Sequence, residues 1–144
     1  MNMDWLTAAQ PYLSLINGAE DHYGIPHNLL VRIAFEESSF LPEVINGTEK
    51  SSAGCVGMFQ LNPVYFPNAG KSIAVDASTA ATLLANLYQR FRDWQVAVAA
   101  YNWGGGNVHH EIVMDGPTLA DMPEETQKYV TEIFRDVPIP GVLV

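Results

Sequence analysis

The chain has 144 residues, of which 48% are hydrophobic and 16% charged, a composition typical of globular proteins and unlike that of disordered ones. The length is that of one ordinary domain, so we predict a single domain over residues 1–144. Seven basic residues against sixteen acidic residues give a net charge of −9, and the basic residues are scattered, which argues against nucleic acid and membrane surfaces as partners.

The first part of the chain favours helices. Apolar residues recur at helical spacing over 4–17, where Pro11 is placed to kink or split the helix and Gly18 to end it. After a second short segment, the main helix is predicted over about 26–40, with a proline suited to its first turn.

Turn residues dominate the segment 41–63 that follows the main helix. The Asn46-Gly47 pair is a hairpin signal, so we predict either a small β-hairpin or an ordered loop there. Further helices are predicted from a cap at Asp76 or Ser78 through 91, over 93–103 up to a run of three glycines, and near 107–114 and 123–136. The predicted fold class is therefore mainly α.

Two adjacent glutamates, Glu36 and Glu37, lie near the end of the main helix. Adjacent helical side chains point about 100° apart, so the two cannot share one environment. Glu37 falls in the middle of the apolar arc, whereas Glu36 falls in the polar sector with Arg32, where we predict a surface ion pair. Burial raises the pKa of a carboxyl, as a general acid at neutral pH requires. The alternatives for Glu37 are a buried glutamate satisfied by backbone amides and an exposed one.

Four sequence blocks occur in a fixed order over about residues 33–130. They read "EESSFLP", "SSAGCVGMFQLNP", "AVAAYNWGGGNV" and "ETQKYV". Each block alone is a weak signal, but the ordered set resembles the lytic transglycosylase family of the lysozyme superfamily, which is related to goose-type lysozymes. The resemblance implies a lysozyme-like α+β fold and an enzyme that cleaves the β-1,4 bond between MurNAc and GlcNAc in peptidoglycan.

The resemblance also implies a set of site residues. Glu37 matches the catalytic acid and base of the family. The implied substrate-binding residues are Ser51, Met58, Phe59, Gln60, Asn62, Tyr101, Asn102, Glu125 and Tyr129. In the family, the residues matched by Tyr101 and Asn102 hold the sugar's N-acetyl group, and the tyrosine matched by Tyr129 approaches the catalytic carboxyl. Aromatic and amide side chains suit sugar faces, hydroxyls and acetamido groups.

Several of these residues have a structural alternative. Met58 or Phe59 could belong to the core, and Asn102 could cap the helix before the glycines. The segment between Glu37 and Ser51 is several residues longer than the family's usual spacing, so Ser52 is an alternative to Ser51 in the groove.

The family uses a single glutamate and closes a 1,6-anhydro ring on MurNAc without water. No aspartate stands beside Glu37, so we predict transglycosylation. Two alternatives remain: hydrolysis of the same bond, as in a muramidase, with Glu43, Glu49 or Asp93 orienting a water, and a non-catalytic glycan-binding component of a wall-penetrating machine.

We expect no metal and no cofactor, because the four histidines lack metal-ligand spacing with acids and Cys55 is the single cysteine. We expect a monomer whose partner is the glycan strand of peptidoglycan. The N-terminus lacks the basic region and long apolar run of a secretory signal, so action on the cell wall, in the periplasm, needs another delivery route. A phage endolysin, a virion component, a secretion-system component, a trimmed precursor and a domain of a longer protein all fit this pattern.

Overall fold

A computed structural model describes residues 4–144, and its architecture is helical. The helices are α1 (Trp5–Ala9), α2 (Leu13–Tyr23), α3 (Leu29–Ser38), α4 (Pro42–Ile45), α5 (Ile73–Phe91), α6 (Trp94–Trp103), α7 (Gly105–Asp115) and α8 (Glu124–Asp136), with 3-10 helices at Gln10–Tyr12 and Leu119–Asp121. Within residues 4–144, β pairing is limited to one antiparallel bridge between Val56 and Leu61. The prediction of a mainly α fold is confirmed. None of the described helices is long and apolar enough to cross a membrane.

The described chain divides into two compact units, one ending at Thr82 and the other running over Leu83–Val144. The boundary falls within α5, so that helix contributes residues to both units. In the first unit α3 contacts α1 and α2, and in the second α6 contacts α7 and α8. The single domain over the whole chain stays a prediction.

Pro11 splits the first predicted helix, as expected, because proline cannot donate the backbone hydrogen bond of a helix interior. Helix α1 ends at Ala9, a 3-10 turn carries Pro11, and α2 begins at Leu13. The prediction that Gly18 ends this region was wrong, since Gly18 lies inside α2, which ends at Gly24 with φ of 72°. An interior glycine costs a helix only about 1 kcal/mol, which packing can offset.

Helix α3 is shorter than predicted and is bounded at both ends by left-handed residues. It starts after Asn28, with φ of 69°, and ends before Ser39, with φ of 51°. The Asn46-Gly47 pair does not form a hairpin. Asn46 instead ends the short helix α4: its N–H donates to the carbonyl of Pro42 at 3.0 Å, and the N–H of Gly47 donates to the carbonyl of Val44 at 3.1 Å. Of the two predicted alternatives, the segment is therefore an ordered loop.

The helices of the second half agree with the sequence pattern. Asp93 caps α6 by accepting from the N–H of Val96 at 3.0 Å, and Gly104, with φ of 103°, ends that helix. Helix α7 begins directly after Gly104, two residues earlier than predicted, and α8 covers Glu124–Asp136. Clear caps and breakers explain why these bounds are readable from sequence.

Residues 137–144 are tied to α6 by Gln95, which is 2% exposed. Its Nε2 donates to the carbonyl of Ile139 at 2.9 Å, and its Oε1 accepts from the N–H groups of Leu143 and Val144 at 2.8 Å each. Gly141 packs directly on this side chain, where a Cβ would lie 2.5 Å from the Gln95 Cδ. The buried amide is thus fully used as a clamp for this segment.

Candidate active site

Glu36 and Glu37 lie in the last turn of α3, and both side chains are half-buried. The helical wheel placed Glu37 on the apolar side and Glu36 on the polar side, but the two side chains do not differ in exposure as this predicted. Arg32 Nη1 donates to Glu36 Oε2 at 2.7 Å. Glu36 is thereby committed to an ion pair within its own helix. The structure does not test the catalytic role of Glu37, which stays a prediction.

The Arg32–Glu36 pair is present, but the prediction that it lies on the surface was wrong. The Arg32 side chain is only 2% exposed and that of Glu36 is 18% exposed. The Arg32 guanidinium carbon also lies 5.1 Å from the centroid of the Phe35 ring. A helical wheel identifies a polar sector but does not show that this sector is itself covered. A buried charge depends on its partners far more than an exposed one does.

We expect Glu36→Gln to lower the free energy of unfolding by about 1–2 kcal/mol while peptidoglycan cleavage stays within about threefold of the parent. The substitution keeps an acceptor oxygen but removes the charge beside Arg32. Urea unfolding and a turbidity assay on purified cell walls measure the two effects.

The control is the pair of Lys128 and Glu132, with the same i,i+4 spacing, at 4.0 Å, in which the lysine side chain is 73% and the glutamate side chain 29% exposed. Glu132→Gln should lower the free energy of unfolding by less than about 0.5 kcal/mol. Equal costs for the two variants would contradict the argument that burial makes the Arg32–Glu36 pair matter.

The end of α3 directly after Glu37 is fixed by a buried serine. Ser38 Oγ donates to the carbonyl of Ala34 at 2.9 Å and accepts from the N–H of Phe40 at 3.2 Å. Ser39 and Phe40 follow with φ of 51° and 55°, a conformation that costs non-glycine residues energy. Such strain persists only where the surroundings hold it, so the position of this helix end is tightly specified.

The predicted groove residue Gln60 belongs to a tight turn that the Val56–Leu61 bridge closes. Its backbone N–H and its side-chain Nε2 both donate to the carbonyl of Gly57, at 3.2 Å and 3.0 Å. Gln60 has φ of 51°, so its side chain and backbone together stabilise a strained turn. A contact between Gln60 and a sugar stays a prediction.

Met58 and Phe59, which precede Gln60, are both 0% exposed. They present no surface to a ligand in this structure, so the core alternative describes them. Their side chains anchor the turn from inside, because fully buried large side chains contribute roughly 1.5–3 kcal/mol each. Both side chains thus lie in the core, and contact of these two residues with substrate stays a prediction.

Ser51 and Asn62, also predicted in the groove, each use a side-chain oxygen to close a local turn. Ser51 Oγ accepts from the N–H of Cys55 at 3.0 Å, and Asn62 Oδ1 accepts from the N–H of Val64 at 3.0 Å. Ser51 is exposed and Asn62 half-buried. Both therefore have a structural role, and their contact with substrate stays a prediction.

The second unit brings the remaining predicted residues together on α6 and α8, which contact each other. Asn102 Oδ1 accepts from Thr126 Oγ1 at 2.8 Å, and Asn102 Nδ2 donates to Glu125 Oε1 at 3.4 Å. Tyr101 is half-buried, and Tyr129 is 5% exposed. Asn102 does not cap α6, because the N–H of Gly104 closes that helix end on Ala100.

Comparison with known proteins identifies the family. Residues 14–118 match the sequence model of the transglycosylase SLT domain. The chain belongs to this family. This SLT domain is 30% identical over 146 residues to the membrane-bound lytic murein transglycosylase D of Escherichia coli strain K12, and equally to that of Escherichia coli O6:H1 strain CFT073. These matches cover 88% of this chain and 30% of each relative, so the chain spans under a third of their length.

A solved structure has the same fold. It is an X-ray structure of an inactive mutant of the lytic transglycosylase Slt from Pseudomonas aeruginosa, with a TM-score of 0.64. The match covers 85% of this chain and 22% of that chain, at 19% sequence identity. The predicted lysozyme-like transglycosylase fold is thereby confirmed.

The prediction that Asp76 or Ser78 caps α5 was wrong, because this helix begins at Ile73 and Asp76 lies inside its first turn. Asp76 is 2% exposed, both its carboxylate oxygens accept from the N–H of Gly70 at 3.1 Å, and burial raises its pKa. Gly57, at the start of the Gln60 turn, lies so close that a Cβ there would be 2.5 Å from Asp76 Oδ2. Asp76 therefore positions this turn from the first turn of α5.

We expect Gly57→Ala to lower the free energy of unfolding by about 3 kcal/mol. The new methyl group would meet the Asp76 carboxylate, and Gly57 has φ of 83°, which alone costs an alanine about 1–2 kcal/mol. Urea unfolding measures the loss.

The matched control is Gly54→Ala in the same loop. Gly54 has φ of 82°, but no atom lies within 4 Å of the place that a Cβ would take. Gly54→Ala should therefore lower the free energy of unfolding only by the cost of the positive φ, about 1–2 kcal/mol. If both variants lose the same free energy, the contact with Asp76 is not what constrains the Gln60 turn.

Three acidic side chains of the SLT domain's second unit, Glu111, Asp115 and Asp121, bring their carboxyl oxygens within 4.8 Å of one another. Burial raises the pKa of Glu111, and the charges of Asp115 and Asp121 raise it further. Carboxylates at this spacing could take a divalent cation, but acidic groups cluster on many proteins without one. We assign this cluster no role in the site.

Proposed function

We propose that this SLT domain is a lytic transglycosylase that cleaves the β-1,4 bond between MurNAc and GlcNAc in peptidoglycan. The observation that carries the proposal is the match of residues 14–118 to the transglycosylase SLT domain, with Glu37 inside the matched segment. The relatives in Escherichia coli are named lytic murein transglycosylases, which supports murein as the substrate here.

We propose Glu37 as the acid and then the base of the reaction. Its carboxyl donates a proton to the glycosidic oxygen, the bond from that oxygen to C1 of MurNAc breaks, and GlcNAc leaves with a 4-hydroxyl. The acetamido group of MurNAc supports the positive charge at C1. The Glu37 carboxylate then takes the proton of the 6-hydroxyl, whose oxygen bonds to C1 and closes the 1,6-anhydro ring. One carboxylate therefore serves both steps and no water is consumed.

The proposed substrate contacts are polar and aromatic. In the first unit, Ser51, Gln60 and Asn62 offer hydroxyl and amide groups to the sugars, and Met58 and Phe59 act from the core beneath Gln60. In the second unit, Asn102 and Glu125 offer polar groups, and we propose that Tyr101 packs on a sugar face. Tyr129, 5% exposed on α8, is the fourth residue of this unit in the proposed set.

Hydrolysis of the same bond would require a second carboxylate to orient a water. Asp93, one of the acids considered for this role, uses Oδ1 to accept from Val96 and Oδ2 to accept from Val142. Asp93 thus has a structural role at the start of α6 and toward the end of the chain. The other two candidates, Glu43 and Glu49, are exposed.

Mass spectrometry of the fragments released from purified peptidoglycan tests the reaction. A transglycosylase leaves 1,6-anhydroMurNAc ends, whereas a muramidase leaves reducing ends that are heavier by one water. A hydrolytic muramidase run in parallel provides the reference fragments. Reducing ends would refute transglycosylation, and a parent protein that binds the polymer without releasing fragments would support the non-catalytic alternative.

We propose the bacterial cell wall, reached from the periplasm, as the place of action, and a monomer as the acting form. Delivery as a phage endolysin, a virion component or a secretion-system component each remains a proposal. Sedimentation of the purified chain and its detection in the producing cell or particle test these proposals.

A further inference from the structure

Thr126, in the first turn of α8, makes a hydrogen bond that the proposed mechanism does not use. Its side chain is 1% exposed, and its Oγ1 donates to Asn102 Oδ1 at 2.8 Å. Nδ2 of the same Asn102 side chain donates to Glu125 Oε1 at 3.4 Å. Asn102 is half-buried, so its amide is held by α8 and also reaches the surface.

These two contacts determine which end of the Asn102 amide faces which neighbour. The amide nitrogen faces Glu125, whose Oε1 accepts from it. The Thr126 hydroxyl then faces the amide oxygen and must donate to it. A threonine within a helix commonly donates to a carbonyl one turn earlier, yet Thr126 donates from α8 to α6. Without this hydroxyl, the amide would keep only the longer contact and could turn over.

We propose that Thr126 is a positioning residue that presents Asn102 as a hydrogen-bond donor to the carbonyl oxygen of a sugar N-acetyl group. Because Oδ1 is occupied by Thr126 and one Nδ2 hydrogen points to Glu125, the second Nδ2 hydrogen is the group left for a ligand. A donor at this place selects an acceptor, so N-acetylated glycan should be preferred over N-deacetylated glycan. This inference rests on the proposed function, in which Asn102 matches a residue that holds the N-acetyl group, and it adds Thr126 as the residue that orients the Asn102 amide.

The test compares Thr126→Val, which removes the hydroxyl at nearly constant shape, with Thr126→Ser, which keeps it. Both are made in a Glu37→Gln background so that the glycan is bound but not cleaved. Binding of the N-acetylglucosamine tetramer and of its N-deacetylated counterpart is followed by NMR at the Asn102 side-chain amide. Thr131→Val, at an exposed threonine of the same helix, is the control.

Thr126→Val should weaken binding of the acetylated tetramer about tenfold, as expected for one lost hydrogen bond. Thr126→Ser and Thr131→Val should stay within about twofold of the background protein. Binding of the deacetylated tetramer should be the same in all four proteins. A merely structural role would instead weaken both tetramers equally and would overturn the proposal, as would unchanged binding of the acetylated tetramer by Thr126→Val.

Cleavage by chains with Glu37 intact separates this inference from the proposed function. If the parent releases no fragments from peptidoglycan while the tetramer results hold, the proposed enzyme activity fails and the role of Thr126 stands. If the parent releases anhydro fragments and Thr126→Val matches it in tetramer binding and in kcat/KM, the role of Thr126 fails alone.

Discussion

Glu37→Gln should lower the rate of peptidoglycan cleavage about a thousandfold or more while the protein stays folded and still binds glycan strands. Glutamine cannot give a proton to the glycosidic oxygen or take one from the 6-hydroxyl, so both proposed steps lose their acid or base. A positioned acid–base group contributes roughly 10²–10⁴ in rate, and here one residue serves twice. Release of anhydro fragments, followed by chromatography over time, measures the loss.

The neighbouring Glu36→Gln is the matched control for this prediction. It makes the same chemical change one residue away, in the same turn of α3, at a side chain that pairs with Arg32. Circular dichroism and pull-down on insoluble peptidoglycan check folding and binding of both variants. If Glu36→Gln is as inactive as Glu37→Gln when both are folded, the catalytic assignment is wrong.

Local signals made much of the helical pattern predictable. Helix α6 is an apolar run with Asp93 as its cap and Gly104 at its end, and both signals act within a few residues. The prediction at Gly18 was wrong because a helix that packs well continues through a glycine. Such packing depends on contacts between residues distant in sequence. Helix bounds set by neighbours in the chain were therefore readable, and those set by packing were not.

Those site residues that belong to sequence motifs were predictable. Contacts between residues that only the fold brings together were not. The blocks around Glu37, Gln60 and Asn102 were recognised because they resemble those of a known family. The bond from Thr126 to Asn102 joins residues 24 positions apart, and no local pattern encodes it. The covered position of Arg32 has the same cause, because a wheel describes one helix without its surroundings.

Glu20→Ala should lower the free energy of unfolding by about 4 kcal/mol, the largest loss of stability we expect from one substitution. Glu20 is 0% exposed and accepts hydrogen bonds from the N–H groups of Asn28, Leu30 and Val31, at 3.0, 2.9 and 3.3 Å, and from Asn17 Nδ2 at 2.7 Å. Urea unfolding at neutral pH measures the loss.

Those backbone N–H groups form the N-terminus of α3, the helix that carries Glu37. The residue before this helix, Asn28, has φ of 69° and makes no capping hydrogen bond with its side chain. The carboxylate of Glu20 therefore takes the place of the missing cap, and its negative charge also suits the positive end of the helix dipole. Its removal would leave several buried donors without an acceptor, at about 1–3 kcal/mol each before relaxation. Asp21→Ala, at the exposed next residue of α2, is the control and should cost under about 0.5 kcal/mol.

The pH dependence of stability gives a second test of Glu20, with a defined sign. Desolvation by burial raises the pKa of Glu20 above its ordinary value of 4.5, and the hydrogen bonds from Asn28, Asn17, Val31 and Leu30 offset only part of that effect. The folded protein therefore takes up this proton more readily than the unfolded chain. The resulting stabilisation is fully present below pH 4.5 and is lost as the pH rises through the raised value. Glu20→Gln cannot titrate, so the parent's stability relative to this variant should increase as the pH falls from about 7 toward 4.5. A difference that shrinks over this range would mean that the hydrogen bonds at the start of α3 outweigh the cost of burying the charge.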